Sequence, residues 1–160
     1  MIEYLPIVLT GLGLTASIVY YASVLQNANK SRQTQLLMNL YETYRSTEFR
    51  KQQMAIANWE YSDFDDFFDK YGWENNPDSW GVWFSIASFF NGIGVLVESK
   101  LIDIGLVEEL LGNITDRMWN IMGPVLLEFR KSGVTQKKRK YEILHGFEYL
   151  YNLMKSRGTF

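Results

Sequence analysis

The chain opens on a stretch that narrows its folding options more than any other. Residues 5 to 25 read LPIVLTGLGLTASIVYYASVL, 21 positions without one charged side chain. As a helix they would span roughly 31 Å, close to the ~30 Å hydrocarbon core of a bilayer. The uncharged run extends from Tyr4 to Asn29, longer than a buried helix of a soluble protein needs. Tyr4 and the Tyr20–Tyr21 pair stand where aromatic rings favour the two membrane interfaces. Pro6 suits a first helical turn, where its missing N–H is not needed. A cleaved signal peptide calls for a basic leader and a shorter apolar core. This leader carries Glu3 and neither Lys nor Arg. The expectation is therefore a membrane anchor, with a cleaved signal or a buried soluble helix as the alternatives.

Flanking charge orients such an anchor. No Lys or Arg precedes the run, whereas Lys30, Arg32, Arg45, Arg50 and Lys51 follow it. The positive-inside rule then puts a tail of residues 1–4 outside, the span at 5–25, and a helical domain of residues 26–160 in the cytoplasm. The sequons at Asn29 and Asn113 would matter only on the outer side and read as coincidence. Within the span, Gly11, Gly13, Thr15, Ala16 and Ser17 form a small-residue face. Such a face lets helices approach closely in lipid, which suggests self-association or a membrane-protein partner. The plain alternative is that small residues are common in spans.

Past the span, no Gly or Pro occurs between Gly13 and Gly72. Nothing local stops the helix, and Leu36, Leu37, Leu40, Tyr41 and Tyr44 continue an apolar stripe at helical spacing. One helix over about 5–45 is expected. Ser46 or Thr47 would cap the next, running to about Glu60. Ser62 would cap a short acidic helix ending at Gly72. Asp78 or Ser79 would open an apolar helix through Lys100. Asp103 would cap another, with Gly112 as its stop, and Gly123-Pro124 should kink or restart the helix near Asn120. A last helix carries Tyr141, Leu144, Phe147, Leu150, Tyr151 and Met154. No period-two strand pattern occurs. The fold class expected is all-α, an N-terminal transmembrane helix continuing into a long cytosolic helix packed with a small bundle.

The segments TASIVYYASVLQNANKSRQTQLLMNLY, FRKQQMAIANWEYSDFDDFFDKYG, FFNGIGVLVESKLIDIGLVEELLG and FEYLYNLMKSR together resemble a family of small archaeal and bacterial proteins catalogued as a domain of unknown function. The resemblance covers nearly the whole chain. It implies an N-terminal span and a helical cytoplasmic part, and it carries no catalytic residues across. It also implies a proline near the break at Ser46–Thr47. This chain has none there, so that break rests on the cap.

Chemistry-bearing residues are sparse. The chain has no cysteine and a formal net charge of −2, so thiolate metal sites are excluded and no global attraction to nucleic acid is expected. That total hides an acidic segment, Glu60 to Asp78, and a basic one from Arg130 onward. His145, the single histidine, has no carboxylate at a trusted ligand spacing and reads as structural. Gly92 and Gly94 lie inside an apolar helical run, without the strand and loop of a phosphate fingerprint, and read as close helix packing. The acids of SDFDDFFDKYG alternate with Phe64, Phe67, Phe68 and Tyr71, which read as the inner face. The acids then form a solvated face, the alternatives being a cation site or a catalytic pair. Lys137, Lys138, Arg139 and Lys140 would sit poorly in a helical first turn. They point to anionic lipid or an acidic partner, against the plain reading of a solvated turn.

The function expected is a single-pass membrane-anchored binding or scaffold protein, an accessory subunit of or adaptor to a membrane complex, without a cofactor. The alternative is a membrane-tethered enzyme using buried carboxylates, with or without a metal. A sensor would need a movable ligand domain that the sequence does not contain.

Overall fold

A computed structural model describes residues 5–132 and 142–160, with the backbone alone for residues 5–12. Among the described residues it contains six helices and no strand: α1 Leu5–Arg45, α2 Thr47–Ala57, α3 Phe64–Tyr71, α4 Pro77–Glu98, α5 Ile104–Lys131 and α6 His145–Ser156. The chain divides into two compact units, residues 1–36 and residues 37–160. From Leu5 the first is helical. From residue 13 to residue 32 every side chain in it is exposed.

The second unit holds the core, and α4 is its centre. It packs against α2, α3, α5 and α6, most extensively against α6. Trp83, Ile86, Ala87, Phe90, Ile93 and Val97 on α4 are buried. Ile86 to Ile93 are covered by partners drawn from the rest of the chain, such as Phe147 stacked on Phe90 at 5.0 Å between ring centroids. Burying each such side chain contributes about 1.5–3 kcal/mol. From α1, Leu37 is buried, and Leu40, Tyr41 and Tyr44 are half-buried. At the acidic segment, Phe67 is buried within rings of Tyr61, Tyr71 and Trp83, while Asp65 and Asp69 are exposed. Asp66 pairs with Lys70 at 2.9 Å, and this hydrogen bond, with that from the Ser62 N–H, holds its carboxyl below the usual range.

Several helix boundaries differ from the sequence reading, each for a local reason. Ser46 caps α2, its hydroxyl accepting from the Phe49 N–H at 3.2 Å. Asp103 caps α5 in the same way through Leu106. α2 ends at Ala57 rather than Glu60, and α4 at Glu98 rather than Lys100. α3 is capped by Asp63, not Ser62, because the Asp63 carboxylate accepts from the Asp66 N–H while Asp66 reaches back to the Ser62 N–H. α4 starts earlier than expected, since Pro77 fixes the first-turn geometry and Asn76 caps it through Ser79. α5 passes through both Gly112 and Pro124 as one helix of 28 residues. Thr115, Met118, Trp119, Met122, Val125, Leu126 and Phe129 form one buried stripe across the proline. Seven buried side chains outweigh the ~3 kcal/mol cost of an internal proline. Gly112 stays helical under the Thr159 methyl group.

The α4–α6 contact is set by glycine. A methyl group at Gly94 would overlap the Gly146 carbonyl, and one at Gly146 would overlap the Asn91 carbonyl. The Gly146 N–H donates to Asn91 Oδ1 at 2.9 Å. At Gly92, one residue pair earlier, a methyl group would meet nothing within 4 Å. Close packing therefore belongs to Gly94 alone of the two. The C-terminal segment is tied back by Glu108, which accepts from Arg157 Nε at 2.7 Å and Thr159 Oγ1 at 2.8 Å.

Two predictions follow from these contacts. Gly94→Ala should lose about 3 kcal/mol by forcing the helices apart, whereas Gly92→Ala should gain about 0.5–1 kcal/mol by restricting the unfolded chain, both read by chemical unfolding in neutral detergent. The Arg157 hydrogen bond, then the Thr159 one, hold the Glu108 carboxyl below its ordinary 4.5. A carboxyl depressed on folding stabilises the fold fully above its unfolded value, and that stability is lost as pH falls through the folded value. Glu108→Gln should therefore flatten the decline of the unfolding midpoint below pH 4.5 and lower the midpoint at neutral pH.

Candidate functional site

The break between α1 and α2 builds a groove. Ser46 ends one helix and caps the next, so Tyr44 lies just before the turn and Arg50, Gln53 and Met54 lie after it. Those three follow i, i+3, i+4 spacing and share one face of α2. On α5, Ile114, Arg117 and Met118 repeat the same spacing. Both triplets and Tyr44 line a cavity of about 190 Å³.

Its chemistry is mixed. Met118 forms a buried floor and Ile114 is half-buried, while Met54 is largely exposed. Arg50 and Arg117 are exposed, and among the described residues neither makes an ion pair. The Arg50 guanidinium lies 5.7 Å from the centre of the Tyr44 ring, a cation–π arrangement that orders it. Gln53 Nε2 is buried and has no hydrogen-bond partner. A buried donor left unpaired costs about 1–3 kcal/mol, so this amide is a liability that packing alone does not explain.

A second cluster lies at the start of α6. Arg130, its side chain 9% exposed, donates from Nε to the Ile143 carbonyl at 3.0 Å and from Nη1 to Glu148 and to Glu142, the latter at 3.0 Å. It ties the end of α5 to the entry of α6, where Leu144 adopts φ 56°. Beside it, His145 Nε2 lies 3.2 Å from Glu98 Oε2. Ligand spacing along the chain does not reveal this carboxylate, because it lies 47 positions away. Among the described residues no group of three or more metal-ligating side chains is present.

The residues singled out from sequence have the following places. Gly13, Thr15, Ala16 and Ser17 are exposed on α1, and Gly11 lies where the backbone alone is described. Lys137, Lys138, Arg139 and Lys140 lie outside the described residues. The groove was missed altogether. Arg50 and Arg117 are 67 positions apart and look like ordinary surface cations in the sequence. The one available signal was the matching i, i+3, i+4 triplets, Arg-Gln-Met and Ile-Arg-Met.

Among the described residues the protein is all-helical, with a small cleft of mixed polar and apolar lining between α2 and α5. A family model described as Domain of unknown function (DUF4760) matches residues 7–154, and the chain belongs to that family. No curated protein and no solved structure matches it.

If the Gln53 amide is held for something other than stability, removing it should help the fold. Gln53→Met, close in shape and without the unpaired donor, should raise unfolding stability by about 1 kcal/mol, measured by denaturant titration of the full chain.

Proposed function

We propose that this protein is a single-pass, membrane-anchored helical binding protein, an adaptor or accessory subunit of a membrane complex. Residues 5–25 form the span, the N-terminus lies outside, and residues 26–160 lie in the cytoplasm. One observation carries the reading: from residue 13 onward the side chains of the uncharged run of α1 are exposed. Leu14, Ile18, Val19, Tyr20, Tyr21 and Leu25 are all between 62% and 68% exposed. Monomeric soluble proteins rarely leave so large a contiguous apolar surface in water. Lipid is the cover that a 21-residue run fits in length.

Local hydrogen bonding supports the same solvent. Ser17 donates to the Gly13 carbonyl at 2.8 Å and Ser23 to the Val19 carbonyl at 2.9 Å. Hydroxyl donors satisfied within their own helix need no water, which the interior of a bilayer does not offer. Among the described residues α4 is the one helix long and apolar enough, by length and composition, to cross a membrane. Trp83, Ile86, Ala87, Phe90, Ile93 and Val97 of α4 are buried in the second unit, and α4 packs against α2, α3, α5 and α6, which favours a core helix over a span there. The positively charged residues that follow α1's apolar run favour the cytoplasmic side for the second unit. The face of Gly11, Gly13, Thr15, Ala16 and Ser17 would contact a second helix in the membrane. Lys137, Lys138, Arg139 and Lys140 would meet anionic headgroups or an acidic partner.

Membrane fractionation checks the anchor. The native chain should stay with membranes until detergent is added, and Ile18→Arg with Leu14→Arg should release it, each arginine costing about 2.5–3.5 kcal/mol near the centre of a span. Because the chain lacks cysteine, Asn152→Cys gives a single thiol. An impermeant maleimide should label it only after lysis. Native protein that is monodisperse without detergent, or labelling in intact cells, would refute the reading.

A further inference from the structure

We infer that the groove between α2 and α5 is a binding site for a phosphate-bearing amphiphile, a small phosphoester headgroup joined to an apolar group. The assignment does not depend on where residues 5–25 reside. Four features of the groove carry it.

The first is charge. Arg50 and Arg117 stand on opposite walls, one from each helix, and neither is neutralised by a carboxylate among the described residues. An anion in the groove would meet both guanidiniums. Guanidinium forks match the oxygens of phosphate and hold them by charge-assisted hydrogen bonds. The second is preorganisation. Stacking on Tyr44 restrains Arg50 before any ligand arrives, so less side-chain freedom is lost on binding.

The third is the orphaned donor. Gln53 lines this groove, and its Nε2 is buried with no partner. An acceptor oxygen on a ligand is the group it lacks. The fourth is the floor. Met118 and Ile114 lie beneath, and Met54 is 66% exposed at the rim. A bare inorganic anion would leave these apolar contacts unused. A phosphoester with a hydrocarbon group uses both halves of the lining. At about 190 Å³ the cavity is smaller than the roughly 300–1,000 Å³ typical of drug-sized ligands. It therefore suits a headgroup and a few carbons, with any longer tail leaving over Met54.

Methionine methyl groups give the readout. Full-length protein labelled at the methionine methyls, in neutral-detergent micelles, would be titrated by NMR with butyl phosphate, inorganic phosphate and butanol. Met54 and Met118 signals should shift and saturate with butyl phosphate, while Met154, buried elsewhere, should not. Inorganic phosphate should bind more weakly and butanol should produce no saturating shift. Arg50→Gln and Arg117→Gln should each weaken butyl phosphate about tenfold, the effect of losing one charge-assisted hydrogen bond. Gln53→Met should weaken it as well, although that variant is the more stable one. Lys131→Gln, a surface change, should have no effect.

A second arm separates the two sources of the same chemistry. Protein in phosphatidylcholine nanodiscs with and without phosphatidic acid would be compared. A Met54 and Met118 shift that needs phosphatidic acid identifies a lipid headgroup, and saturation by free butyl phosphate identifies a soluble phosphoester. Either result sustains the assignment. It is overturned if neither probe gives a saturable shift, if butanol matches butyl phosphate, or if the double variant Arg50→Gln with Arg117→Gln binds as well as the native chain. A protein that proves soluble without detergent would defeat the anchor and leave this titration intact.

Discussion

The backbone contact between Gly94 and Gly146 is the constraint on which the folded unit depends. α4 carries an apolar surface on several sides and must be covered on each. α6 can cover it closely only where neither helix has a side chain, because a methyl group at either glycine would occupy the partner's carbonyl. The approach is fixed further by the Gly146 N–H donating to Asn91 Oδ1, and by the Phe90–Phe147 stack one position along. Once α6 is seated, its flanks follow. Arg130 gathers Ile143, Glu142 and Glu148 at its entry. Glu108 gathers Arg157 and Thr159 at its exit. A buried guanidinium with two carboxylates is tolerable there because most of its donors are satisfied.

Two buried donors lack partners, Arg130 Nη2 beside its two carboxylates and Gln53 Nε2 at the α2–α5 groove. At the groove the unpaired amide coincides with two exposed cations, Arg50 and Arg117, that make no ion pair among the described residues. The rest of the unit shows that this sequence can pair its polar groups over long separations. Departures from local consistency concentrate at functional sites, where the fold carries a cost for the sake of a ligand. The same logic applies to α1 in a different solvent. Its exposed leucines, isoleucine and tyrosines are a liability in water and the expected surface in lipid.

Much of the secondary structure was legible because its causes are local. Ser46 and Asp103 act as caps through neighbours three residues on, and the absence of Gly and Pro from 14 to 71 left α1 uninterrupted until that cap. The failures are equally physical. Gly112 and Pro124 are breakers by propensity, and α5 overrode both because its buried stripe crosses them. Asp63 displaced Ser62 as a cap because Asp66 was placed to reciprocate. Gly92 and Gly94 look alike in sequence, and only the position of Gly146 separates them.

By itself, then, the amino-acid order determined an all-helical class and an uncharged run over residues 5–25, since periodicity, capping and run length act over a few turns. Tertiary structure alone decided what meets what. It joined Arg50 to Arg117 across one groove, His145 to Glu98, and Gly94 to Gly146. These pairs are separated by dozens of residues, and no local rule reports them, because each exists only after the helices have buried their apolar faces against one another.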